Sequence, residues 1–281
     1  MPHGTVESSF RHVPPDRTLA SRIAVVTGAG RGIGRGAAFG LARRHARIVV
    51  VDVTTDELDT TVAMVQAEGA EVMPLRADLT DRNQIDGMLD TVAKTWGPID
   101  ILVNNAAVLH TKSFEDTTPQ VWTETIQVVL EAPYYLSWRV CGDMLKRGRG
   151  NIVTVSSTAG VKPFALETAY CAAKYGVEGL FRSMALEVTS RGLIVTLCTP
   201  GKTTKQTSMT DAAFAALPAE QQERYVSPLA FAEAFGYLAA ITDPASSGRR
   251  FDLFALAELV REHGWTVPAW LALQRAERNT P

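Results

Sequence analysis

Tyr170 and Lys174 stand four residues apart in "AYCAAKYGVEG" (169–179), with only Cys171, Ala172 and Ala173 between them. On a helix, positions i and i+4 share one face. The plainer reading is two surface side chains at a common spacing. The chemical reading is an acid–base pair. An isolated phenol has a pKa near ~10, too high for a base at neutral pH. A cation held beside it favours the phenolate. Lowering that pKa by about three units takes roughly 4 kcal/mol, at ~1.36 kcal/mol per unit. The pair alone does not choose between the readings; the elements that would position it have to.

Those elements alternate. "RIAVVTG" (22–28), "RIVVVDV" (47–53), a run within "AEVMPLRADL" (70–79), "IDILVNNAA" (99–107), "GNIVTVSS" (150–157) and "GLIVTLCTP" (192–200) read as strands. Between them lie helical segments at 34–45, 56–68, 81–97, roughly 119–147, where Pro133 is expected to bend the helix, and 168–190. The strands are continuous apolar runs, as expected when helices cover both faces of a sheet. The βαβα order implies parallel strands with right-handed crossovers. The expected fold is therefore α/β: one doubly wound parallel sheet of the Rossmann type, a single domain over 21–255. Residues 1–20 read as a loose tail and 256–281 as a helical extension.

The first strand runs into "VVTGAGRGIGRG", where Gly28, Gly32 and Gly34 follow a GxxxGxG spacing. Glycines at a strand-to-helix turn let the backbone approach a pyrophosphate closely. The helix N-terminus then offers free N–H groups to the anion. A glycine-rich turn without a ligand is the simpler alternative, but the position after the first strand of a βαβ unit favours a dinucleotide. Asp52 closes the second strand, where a carboxylate accepts hydrogen bonds from a ribose diol and repels a 2′-phosphate. Asp52 points to NAD, whereas Arg31, inside the glycine loop, could welcome the 2′-phosphate of NADP; the acid carries more weight.

Composition sets the limits. The 281 residues are 46% hydrophobic and 21% charged, with a formal charge of −2, an ordinary globular profile. That charge gives no footprint for nucleic acid or an anionic membrane. No window approaches ~18 uninterrupted apolar residues, so no bilayer span is expected. The first 20 residues lack the apolar stretch of a secretory signal. Cys141, Cys171 and Cys198 show no metal-binding or disulfide spacing. A cytoplasmic protein without a metal is expected.

"TGAGRGIG" (27–34), "NNAA" (104–107), Ser157 and "YCAAK" (170–174) together resemble the short-chain dehydrogenase/reductase family in its single-domain form, over roughly 21–240. Ser157 precedes Tyr170 by 13 residues, the interval that family uses. The resemblance implies a catalytic trio. Ser157 would hold the substrate oxygen, Tyr170 would exchange its proton, and Lys174 would tune Tyr170 and hold the nicotinamide ribose. It also implies cofactor contacts from Gly28, Arg31, Gly32, Ile33, Gly34, Asp52, Asp78, Leu79, Asn105, Ala106, Tyr170, Lys174, Pro200, Gly201 and Thr203, with Asn104 bracing the central strands. Family members are commonly dimers or tetramers through the helices that would here be 119–147 and 168–190.

The sequence departs from that family in four places. Val129 stands seven residues after Trp122, where the family usually has a relay asparagine, and Gln127 and Glu131 are two residues off. Ala107 replaces a glycine of the asparagine motif, and Lys205 replaces a threonine, although Thr203, Thr204 and Thr207 are near. The end of the chain reads "SGRRFDLFALAELVREHGW" (247–265) instead of a strand and an Asp-Gly-Gly element. The stretches 158–168 and 202–226 should line the substrate cleft, the latter as a lid. There Phe164, Leu166, Met209 and Phe214 suggest an apolar alcohol or ketone. The leading expectation is an NAD-dependent oxidoreductase for a secondary alcohol and its ketone. The alternatives are an NADP-dependent carbonyl reductase and a non-catalytic dinucleotide-binding regulatory protein.

Overall fold

Buried apolar runs become the strands of one sheet. The computed structural model describes residues 18–202, 204, 214, 216–273 and 276–277. Its parallel strands are β1 (Ile23–Thr27), β2 (Arg47–Asp52), β3 (Val72–Arg76), β4 (Ile101–Asn104), β5 (Gly150–Val155), β6 (Leu193–Thr199) and β7 (Arg250–Asp252). The two-residue β8 (Ala276–Glu277) pairs antiparallel with β7. Their spatial order is β3-β2-β1-β4-β5-β6-β7-β8, so the chain winds outward from β1 to β3, returns to β4, and winds outward again. One edge is β3, which carries the exposed Pro74 in its middle.

Helices cover both faces, which is why alternation is missing from the strands. Along β1, Ala24 and Val26 pack into one core with α1 (Gly32–Ala42), α2 (Thr55–Ala67), α8 (Ala232–Ala240) and α9 (Leu253–His263). Ile23 and Val25 point into the other core, against α3 (Arg82–Thr95), α5 (Ala132–Arg147) and α6 (Thr168–Val188). Phe181 and Phe235, one in each core, are fully buried, each contributing about 2–3 kcal/mol by transfer from water. Short helices α7 (Ala219–Gln222) and α10 (Ala269–Leu273) lie in the C-terminal third.

The helical stretch after β4 is not one bent helix. α4 (Pro119–Ile126) passes into a π-helical turn, Gln127–Glu131, and then into α5. Ala132 N–H bonds the Gln127 carbonyl, five residues back. Pro133 has no N–H to give the Val129 carbonyl four residues upstream. The irregularity therefore falls ahead of the proline, as a widened turn.

The region that departs from the family at the C-terminal end forms a strand after all. Arg250–Asp252 is β7, parallel to β6, and Asp252 caps α9 by accepting from Ala255 N–H at 2.9 Å. Of the expected tail, residues 1–17 lie outside the described residues; of the expected extension, 256–273 and 276–277 are described, and α9 is part of the core.

α1 owes its position to missing side chains. A Cβ on Gly40 would sit 1.9 Å from the Ala232 carbonyl oxygen, and one on Gly36 would sit 2.1 Å from that of Pro228. These helical glycines each cost about 1 kcal/mol in propensity, and close packing against α8 outweighs that cost. Gly40→Ala is expected to lower stability by about 3 kcal/mol through overpacking. Gly87→Ala, in open space on α3, should raise it by up to ~1 kcal/mol. Urea denaturation of both variants checks the pair.

Candidate active site

The glycine loop is built by close approach. Gly28 adopts φ +62°, and a Cβ there would come within 2.8 Å of Ala106 Cα. A Cβ on Gly34 would meet the Gly28 carbonyl oxygen at 2.1 Å and Asn105 Nδ2 at 2.5 Å. Asn105 in turn donates from Nδ2 to the carbonyls of Thr27 (2.9 Å) and Gly28 (3.0 Å). Its backbone N–H and that of Ala106 both donate to Thr27 Oγ1, at 3.1 and 3.2 Å. Asn105 and Ala106 thus brace the loop. Arg31, the N-cap of α1, makes no side-chain cap, so the loop and the first-turn N–H groups of α1 fit an anionic diphosphate.

Asp52 is fixed at the end of β2 by backbone donors. Oδ2 accepts from Gly30 N–H at 2.9 Å, and Oδ1 from Val53 and Thr54 N–H at 2.8 and 3.3 Å. Glu57, on α2, lies beside it: a Cβ on Gly30 would touch both acids at 2.9 Å. Arg31 forms an ion pair with Glu57 at 3.0 Å. Two carboxylates therefore share the end of the loop with the guanidinium of Arg31, tied to Glu57, and that of Arg35, which donates to the Gly30 and Glu57 carbonyls. Sequence reading found Asp52 and Arg31 but not Glu57, whose only signal was its place in the first turn of α2. Asp78 accepts from Thr80 N–H and Oγ1 at 2.9 and 2.8 Å, which orders the turn carrying Leu79.

Ser157, Tyr170 and Lys174 come together at the carboxyl end of β5. Ser157 follows the strand and caps a 3₁₀ turn, accepting from Ala159 N–H at 3.1 Å. Its hydroxyl lies close enough to the Tyr170 phenol to lower that group's pKa. Tyr170 and Lys174 occupy successive turns of α6, with Lys174 Nζ 5.5 Å from the Tyr170 ring centre. Lys174 is buried and donates to the Val155 carbonyl at 2.7 Å.

Burial dominates the ionisation of both groups. It pushes the Tyr170 phenol up to about 12; the Ser157 hydroxyl opposes the rise and Glu167 adds to it. It pulls the Lys174 ammonium down to about 8, against the fields of Cys198 and Glu178. The expected depression of Tyr170 by Lys174 is thus not achieved by the protein's own groups, because desolvation of the phenolate dominates. Each shift penalises a charge taken out of water. The same low dielectric strengthens any charge that later stands beside the pair.

Around this centre, Asn104 is buried and donates from Nδ2 to Ser137 Oγ (3.1 Å) and Thr154 Oγ1 (3.3 Å), bracing β4, β5 and α5. Val129 is buried and offers no side-chain donor or acceptor. Gln127 and Glu131 line a small crevice with Leu79, Thr80 and Tyr135, on the side of α3, so neither takes over its place. Pro200 and Gly201 follow β6, and the Asp252 carboxylate stands where a Gly201 Cβ would go, 2.0 Å away. Thr203, Lys205, Thr207 and Met209 lie outside the described residues. Phe164 and Leu166 are half-exposed beside Tyr170 in sequence, and Phe214 packs edge-on against Tyr225. Among the described residues, no cluster could hold a metal ion and no helix is long and apolar enough to cross a membrane.

This arrangement has known counterparts. The chain is 34% identical over 189 residues to glycine betaine reductase ATRR of Emericella nidulans, of which it spans only 15%. It is 33% identical to galactitol 2-dehydrogenase of Agrobacterium fabrum, matching 65% of this chain and 71% of that protein. A metagenomic short-chain oxidoreductase solved in complex with NADP superposes with a TM-score of 0.72 at 30% identity, over 84% of this chain and 97% of that one. Residues 22–217 match the short chain dehydrogenase family. With its glycine loop, doubly wound sheet and Ser157–Tyr170–Lys174 grouping, the chain belongs to the short-chain dehydrogenase/reductase family of NAD(P)-dependent oxidoreductases.

Proposed function

We propose that the protein interconverts a secondary alcohol and a ketone with NAD as its cofactor. The observation that carries this is Ser157 placed to lower the pKa of the Tyr170 phenol, with the buried Lys174 Nζ 5.5 Å from the Tyr170 ring centre. The nicotinamide supplies or accepts the hydride when bound. Ser157 and Tyr170 hold the substrate oxygen between two hydroxyls and stabilise alkoxide charge as it develops. Tyr170 gives its proton to that oxygen in reduction and takes it in oxidation. With a pKa near 8, Lys174 stays cationic at neutral pH and holds negative charge on the phenol. Its neutral form above that pH should carry little activity. Exposed Phe114, Val161, Phe164 and Leu166 support an apolar substrate.

Two features support NAD over NADP. Asp52 is locked by three backbone donors, and Arg31 is committed to Glu57. A 2′-phosphate arriving here would meet two carboxylates. NADP is the second reading, favoured by Arg31 and by the NADP found in the solved relative. Exposed Trp122, Tyr134, Trp138, Tyr175 and Leu186 on α4, α5 and α6 support a homodimer or homotetramer through those helices. Three cysteines without disulfides fit a cytoplasmic setting.

Tyr170→Phe should lower turnover by about 10²–10⁴-fold and leave NADH affinity within twofold; undiminished turnover would remove Tyr170 from the acid–base role. Nicotinamide fluorescence should show NADH binding at least tenfold more tightly than NADPH, about 1.4 kcal/mol; the reverse order would make Arg31 the deciding group. Light scattering should give two or four times the 30.4 kDa chain, falling to one chain in Trp138→Glu/Leu186→Glu. A monomeric wild type would rule out the assembly.

A further inference from the structure

Three consecutive residues at the end of β5 are each gripped by a different charged side chain. Lys174 Nζ donates to the Val155 carbonyl at 2.7 Å. Ser156 Oγ donates to Glu178 Oε1. Arg250 Nη1 donates to the Ser157 carbonyl at 3.4 Å and approaches Glu178 Oε1 at 3.3 Å. All three charged residues are buried: Lys174 and Arg250 are 3% exposed and Glu178 is 5% exposed. Glu178 sits one turn beyond Lys174 on α6, and Arg250 comes from β7. Gly160, ending the turn that Ser157 caps, packs on the same spot: a Cβ there would lie 3.0 Å from Glu178 Cγ and from Ser156 Oγ. Buried ions are costly unless paired, so this grouping sits under strong constraint directly behind the reactive hydroxyls.

We propose that Glu178 and Arg250 are positioning residues for the reaction, fixing the Ser157 backbone and setting the charge beneath Tyr170. This rests on the oxidoreductase reading above. Within the buried group Glu178 meets Arg250 at 3.3 Å and favours the Lys174 ammonium, with Arg182 reaching Glu178 from the partly exposed side at 2.8 Å. Burial keeps the Cys198 thiol, on β6, neutral. The Lys174 ammonium, held in place by this grouping, favours a phenolate at Tyr170 and an alkoxide on the substrate. The groups facing Lys174 are Tyr170 and Glu178 on its own helix, Cys198 on β6 and, through Glu178, Arg250 on β7. Loss of the Glu178 charge makes the ammonium less favourable, so Lys174 would lose its proton at lower pH and the alkaline limb of kcat would move down.

The full chain tests this in two ways. In Arg250→Met, kcat should fall at least tenfold while the Kd for NADH stays within twofold, and Arg250→Lys should recover part of the loss. In Glu178→Gln, the Lys174 titration, followed by NMR of chain labelled at the lysine ε-carbons, should move to lower pH together with the alkaline limb. That titration needs no substrate. A wild type without turnover on secondary alcohols would therefore count against the oxidoreductase reading, while an unmoved Lys174 midpoint would overturn the positioning role. Should the charge variants fail to fold, Ser156→Ala removes one hydroxyl and no charge; a kcat reduced at least threefold with unchanged NADH affinity supports the proposal, and a wild-type kcat overturns it.

Discussion

Where β1 and β4 diverge, the backbone ladder stops, yet the buried polar groups beyond it still need partners. The register runs Ala24 to Ile101, Val25 to Leu102 and Val26 to Val103, and ends there. Side chains then take over. Thr27 Oγ1 donates to the Val103 carbonyl at 3.3 Å and accepts from two N–H groups of the next loop. Asn105 returns the favour to the carbonyls of Thr27 and Gly28. The crevice at this switch point is thus held open by side-chain hydrogen bonds. The glycine loop can press against it only because Gly28 and Gly34 have nothing to collide. The remainder of the cofactor end, from the α1 N-terminus to Asp52 through Gly30 N–H, takes its position from that junction.

The catalytic end follows a different rule. Its hydroxyls and its ammonium come from β5 and α6, and they meet because α6 packs Val177 and Phe181 into the sheet. Burying that helix face also buries Lys174, which explains why the two ionisable groups are displaced in opposite directions. At neutral pH the pair is a protonated phenol beside an ammonium that gives up its proton more readily than usual. The transition state introduces charge, and the site is arranged so that no reorienting water has to answer it.

Much of this was legible in the sequence because each feature was written in local residues. Continuous Val and Ile runs marked the strands, and Gly97-Pro98 closed α3. What the sequence did not disclose depends on distant neighbours. β7 is three residues long and begins with Arg250, directly after Arg249; the buried Glu178 on α6 and the Ser157 carbonyl help to make an inward Arg250 tolerable. The π-helical turn before Pro133 follows from a missing N–H whose local remedy is chosen by packing of Leu130 on Gly176. Glu57 looked like an ordinary first-turn acid until Arg31 was seen to reach it.

The two ends of the sheet carry a consequence for how the molecule meets its neighbours. An open parallel edge is a template for strand addition and fibril growth. At one margin, Pro74 stands exposed in β3 and has no N–H to offer a newcomer. At the other, β7 is covered by the short antiparallel β8, whose own outer margin is two residues long. Among the described residues, neither margin presents a long uninterrupted run of donors and acceptors to seed a shared sheet. Crowded copies of this chain are thereby steered away from cross-β aggregation, and their encounters are left to the helical flanks.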